Sequence, residues 1–182
     1  MQALKPFNNL TRSMTMDATT NTFETRENLY DLLEDFDTAM MIVKASDGHL
    51  HGRPMAIALL QEDAEMYFVT SIHSPKIAAI QADPAITVTF QSSSRFATVS
   101  GHATVVRDKP MIDDLWKEAW KLWFPQGKDD PSICLIHFIP EDGEYWNNAG
   151  AQGLKYAFEA VKAFVKGTTP ESDQAQHAKV DL

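Results

Sequence analysis

Cysteine is nearly absent from the sequence: Cys134 stands alone, so no disulfide can form within the chain. It lies in the apolar stretch "SICLIHFIP", where it reads as a small core side chain, and the thiol fits a reducing compartment, with the cytoplasm as the expected location. Positive charge is scarce as well. Sixteen Lys and Arg stand against 25 Asp and Glu, a net charge of −9, which opposes binding to nucleic acid or an anionic membrane, although a local basic pocket stays open. No apolar run approaches the roughly 20 residues that span a bilayer, so no transmembrane helix is expected. The opening "MQALKPFNNLTRSMTMDATTNT" lacks an apolar signal core and reads as a flexible leader over residues 1–22. Neither common glycine-rich phosphate loop occurs, and no internal repeat is visible.

What is present is enough for one core. The chain has 182 residues, 44% of them apolar and 10% aromatic; a single domain is expected over residues 23–166, followed by a polar, Pro-containing tail over 167–182 that reads as disordered. Leu29, Leu32, Leu33 and Phe36 recur at one helical face, with Thr25 as a cap. The period then changes to strands in "TAMMIVKA", "RPMAIALLQ" and "MYFVTS", joined by Asp47-Gly48 and by a short acidic turn. A short helix, "SPKIAAIQAD", follows. Strands resume in "AITVTFQS" and "RFATVSGHATVVR", the latter with a bulge or bend at Gly101. The spacing of Ile112, Leu115, Trp116, Ala119 and Trp123 predicts one helix capped by Asp108 and stopped at Phe124-Pro125. "SICLIHFIP" and "DGEYWNN" predict two further strands, and "LKYAFEAVKAFV" a last helix. Consecutive strands with short turns exclude a doubly wound parallel sheet and favour a mainly β, α+β fold: an antiparallel, closed or nearly closed barrel with peripheral helices.

The stretch "TSIHSPK" (70–76) places hydroxyls and a lysine where a strand gives way to a helix. Thr70 and Ser71 leave the strand, Ser74 occupies the cap, and Pro75 suits the first helical position. The amides of Lys76 and Ile77 are free of helical partners, and Lys76 adds a full charge. Such a corner suits a phosphate. The same residues also read as an ordinary cap beside a solvated lysine. Arg53, which opens the neighbouring strand, can approach Thr70 and Lys76 across the hairpin, and two converging cations call for an anion.

Taken together, "GRPM", "MYFVTSIHSPK", "DPAITVTFQ", "ATVSGHATVVRD", "LWFPQGKDDP" and "EYWN" resemble the pyridoxamine 5'-phosphate oxidase-like flavin-binding split barrels, most of all their general stress protein branch. The resemblance runs from about Glu24 to Phe164. It implies a split β-barrel that binds FMN, with FAD also admitted, usually at the interface of a homodimer. The phosphate would sit at Arg53, Thr70, Ser74 and Lys76. Met55, Val69 and Ser71 would lie near the ring or ribityl chain, Gln91 would face the flavin, and Trp123 and Phe124 match an aromatic segment that approaches flavin from the partner subunit.

The other candidates carry less. His49 and His51 read as exposed turn residues without a third metal ligand, and Trp116 and Trp146 as packing residues. No side chain stands out as an indispensable proton donor, so no catalytic residue is assigned. The Arg/His-containing C-terminal segment of the oxidases is missing, which argues against oxidation of pyridoxamine 5'-phosphate. The resemblance thus implies an FMN-dependent oxidoreductase of a small molecule, with a nicotinamide donor, or a non-catalytic dimer that binds, senses or stores flavin.

Overall fold

The computed structural model describes residues 25–149 and 177–182. The expected leader, the helix expected over 154–165 and the first part of the expected tail lie outside the described residues. Among the described residues helix α1 occupies 25–33, and Thr25, expected as its cap, is already helical. Its Leu29, Leu32 and Leu33 are fully buried, as their spacing requires. Among the described residues seven strands follow: β1 Thr38–Lys44, β2 Leu50–Leu60, β3 Met66–Ser71, β4 Ala85–Gln91, β5 Arg95–Val106, β6 Ile133–Asn147 and β7 His177–Asp181. Helix α2 (Pro75–Ala82) links β3 to β4, and helix α3 (Lys109–Leu115) follows β5.

All strand pairs are antiparallel, in the order β3-β2-β1-β4-β5-β6-β7, and a β3–β6 pairing closes the first six into a barrel. Closure removes the apolar sheet's free edges. The barrel is split along β6: residues 133–138 pair with β3, while residues 142–146 pair with β7. Alternating side chains of every barrel strand, among them Met41, Met55, Phe68, Val88, Val99 and Phe138, fill the interior together with the leucines of α1. At the β1–β2 turn Gly48 takes φ +83°, a conformation that glycine adopts without strain.

Three expectations change. "SICLIHFIP" and "DGEYWNN" form one 15-residue strand, β6, because the register slips opposite Ser100 and Gly101: Ser100 faces Asp142 and Gly101 faces Pro140, leaving Glu141 as the extra residue. A bulge of this kind lets a proline pass through a strand. The helix expected from Asp108 to Phe124 ends at Leu115, where Trp116 turns to φ −56°, ψ 129°, and a 3₁₀ segment, Glu118–Leu122, follows. Helical spacing had two apolar demands to meet there, and burial of Trp120 and Phe124 beside Val69, Ile133 and Leu135 on the barrel's outer wall prevails over local propensity. Finally, residues 177–181 of the tail expected to be disordered form β7, which buries Val180. Five residues carry too little periodicity of their own; the waiting edge of β6 supplies the order.

Asp108 does cap α3, its Oδ1 accepting from the Met111 N–H at 3.0 Å. Asp108→Ala removes that acceptor and is expected to cost about 1 kcal/mol, read as a lower urea midpoint with an unchanged slope.

Candidate functional site

The strand exit and helix start anticipated at "TSIHSPK" come together on one wall of a cavity of about 460 Å³. Ser74 occupies the N-cap of α2 with φ −68° and ψ 135°, followed by Pro75 at the first helical position, but its hydroxyl makes no capping bond. Instead it accepts from Lys76 Nζ at 2.9 Å, and Thr70 Oγ1 accepts from the same ammonium at 2.8 Å. The Ile77 N–H is already taken by the Ser74 carbonyl at 2.9 Å, so of the two amides expected to be available only that of Lys76 remains, among the described residues.

Lys76 is only 8% exposed. Burial of a charge is costly unless an opposite charge lies close by, yet among the described residues no carboxylate pairs with it. Burial, and then the neighbouring Arg53 guanidinium, push its pKa below the ordinary lysine value. Among the described residues, Lys76 is also the one charged side chain on the cavity wall. A protein carrying nine excess negative charges thus holds, at this point, a local positive centre.

The remaining wall is apolar or hydroxylic. Met55 and Val69 are buried, Ser71 and Thr38 bring hydroxyls, and Phe124 and Trp123 close the far side. Phe124 is 4% exposed and held in the small outer core, whereas Trp123 is 59% exposed. The resemblance implies that these two aromatics reach a cofactor from a partner subunit; here they line the cavity of their own chain. Cys134 lies opposite Thr70 in the β3–β6 ladder, fully buried, its thiol pushed up to about 11 by burial.

Two expected members stand apart. Arg53 does not line the cavity, although its charge acts on Lys76; it sits inside β2 opposite Met41, not at the strand's start. Pro54, beside it, is tolerated because β2 pairs with β3 only from Ile57 onward. Gln91, exposed at the end of β4, is likewise not on the wall. Conversely, nothing in the sequence pattern points to Thr38 and Ala56, which face each other across β1 and β2 and both line the cavity. Neither belongs to a motif, and only strand register brings them there. His49 and His51 are exposed in and beside the β1–β2 turn.

This architecture recurs among solved structures. A structure described as a candidate general stress protein 26 from a Jannaschia species matches with a TM-score of 0.66 and 25% identity, covering 88% of this chain and 99% of that one. A general stress FMN/FAD binding protein from Xanthomonas citri matches with a TM-score of 0.60 and 27% identity, over 71% of this chain and 93% of that one. A pyridoxamine 5'-phosphate oxidase-related, FMN binding protein from Nostoc punctiforme shares the fold at a TM-score of 0.55 and 16% identity, over 91% and 95% of the two chains. No curated protein matches the sequence. The family model described as pyridoxamine 5'-phosphate oxidase like matches residues 24–171, and the chain therefore belongs to the pyridoxamine 5'-phosphate oxidase-like family.

Proposed function

We propose that the cavity binds FMN and that the protein is an FMN-dependent oxidoreductase of a small molecule, working as a homodimer. The observation that carries the cofactor assignment is Lys76, a buried ammonium bonded, among the described residues, only to hydroxyls and lying beside a second cation. A phosphate monoester supplies the missing negative charge and accepts from the Lys76 amide and the hydroxyls. An isoalloxazine ring suits the slot between Met55, Val69 and the Trp123-Phe124 wall. The flavin binding named for the Xanthomonas citri protein supports the same reading. Once bound, FMN supplies the electron chemistry, while the chain's residues orient it and exclude water.

Dimerisation is supported by large apolar side chains exposed among the described residues: Leu50 at 72%, Leu122 at 79% and Trp123 at 59% exposure. Mass spectrometry of the molecule released by heating is expected to give FMN, and sedimentation a particle of twice the chain mass. Anaerobic mixing with NADH or NADPH is expected to bleach the flavin within seconds. Among the described residues the cavity wall has no titratable side chain apart from Lys76, and this favours a second reading, a dimer that binds, senses or stores flavin without turnover. A flavin that stays oxidised with both donors would decide for it; release of no flavin at all would remove both readings.

A further inference from the structure

The placement of Lys76 bears on more than cofactor binding. We infer that in the flavin-free protein Lys76 is a nucleophilic amine that condenses with small aldehydes carrying a phosphate group. This deepens the reading of the cavity as a phosphate site and rests on it.

A lysine reacts with a carbonyl only as the neutral amine, and its neighbours decide how easily it sheds its proton. A carboxylate would hold the proton in place. Lys76 has two hydroxyls instead, Thr70 Oγ1 at 2.8 Å and Ser74 Oγ at 2.9 Å. Each hydroxyl can accept from an ammonium or, by rotating, donate to an amine, so the neutral form is left satisfied too. Burial and the Arg53 charge act in the same direction. The amine borders a cavity of about 460 Å³, which admits a short phosphorylated chain. The fully buried Cys134 thiol behind Thr70, pushed up to about 11, does not compete.

The step balances without an oxidant or reductant. The Nζ lone pair forms a bond to the carbonyl carbon, the carbonyl π pair moves to oxygen, and the ammonium proton follows it to give a carbinolamine. Expulsion of water then breaks the C–O bond and leaves an imine. When protonated, that imine restores a positive charge beside Arg53, so an aldehyde that brings its own phosphate is favoured over a neutral one.

Glyceraldehyde 3-phosphate is the probe, and unphosphorylated glyceraldehyde the comparison. Each is incubated with flavin-stripped and with FMN-loaded protein, the imine is trapped with borohydride, and modified peptides are mapped by mass spectrometry. Lys76 is expected to be labelled first, at least about tenfold faster by the phosphorylated aldehyde, with both FMN and inorganic phosphate suppressing the reaction. Lys76→Arg, which keeps the charge, is expected to abolish that label only. Labelling spread over exposed lysines with Lys76 spared would overturn the inference, and so would equal rates for the two aldehydes. The competition by inorganic phosphate needs no variant and keeps the test decisive if Lys76→Arg does not fold. If FMN binds while Lys76 stays unlabelled, only this inference fails; if Lys76 is labelled in a protein that binds no FMN, only the cofactor reading fails.

Discussion

Replacing Lys76 with methionine is expected to weaken FMN binding by about 30- to 5,000-fold, the range that follows from removing one partner of a buried, hydrogen-bonded charge pair. The same substitution leaves the flavin-free fold as stable as before or more so. The two effects have opposite sign for one reason: without an anion, Lys76 is a buried charge compensated, among the described residues, by only two hydroxyls, and methionine fills a similar volume at no such cost. An Arg53→Ala change acts more weakly, about tenfold, because Arg53 reaches the site through its field and does not line the cavity. Flavin fluorescence titration and thermal unfolding of the flavin-free proteins read the two quantities separately. An unchanged affinity in Lys76→Met, or a loss of stability as large as the loss of binding, would remove the phosphate from this corner.

The same charge sets a pH dependence. In the flavin-free protein the Lys76 pKa lies below the ordinary lysine value, and a bound phosphate dianion draws it back up. Between those two values binding takes up a proton, so affinity falls as pH rises through that window. Stability of the flavin-free protein runs the other way: the unfolded chain holds the proton longer than the folded one, so folding becomes more favourable as pH rises from the lowered value towards the ordinary one. Lys76→Met flattens both slopes.

Much of this site was legible before the fold was known, because its parts are local. Thr70, Ser74, Pro75 and Lys76 lie within seven residues, and the rules for a strand exit and a helix start place them on one corner whatever surrounds them. The hairpin logic of β2 and β3 did not place Arg53: β2 begins three residues earlier, at Leu50, pairs with β3 only from Ile57 onward, and Arg53 acts on Lys76 by its charge without lining the cavity. Thr38 and Ala56 were out of reach: their presence on the wall depends on the register of β1 with β2, which no turn between Ser46 and His49 announces. The same limit explains the tail. Residues 177–181 become a strand because the second half of β6 offers an unpaired edge, and that edge exists only because the Glu141 bulge lets β6 run on past Pro140. Where tryptophan spacing predicted one long helix, burial against the outer wall of the barrel broke it after Leu115.

That bulge yields the second large effect. A Gly101→Ala substitution is expected to destabilise the protein by about 3 kcal/mol or more, a substantial part of the roughly 5–15 kcal/mol typical of a domain. Gly101 does not have a positive φ, so the penalty is not one of backbone conformation. It is one of space: a Cβ there would lie 2.1 Å from the Ile139 carbonyl oxygen and 2.9 Å from Pro140 Cα, both backbone atoms of the facing strand. Neither can rotate aside as a side chain can. To admit the methyl, β5 must separate from β6 where the register already shifts, and the loss extends to the pairs on either side, Ser100 with Asp142 and His102 with Ile139. Gly48→Ala provides the comparison, since Gly48 has φ +83° and a methyl added there would meet nothing within 4 Å; it is expected to cost only about 1 kcal/mol, the left-handed penalty of an L-residue. Urea unfolding of the two variants ranks them directly. If Gly48→Ala proves the more damaging, the close approach of β5 and β6 at the bulge is not what holds this end of the barrel together.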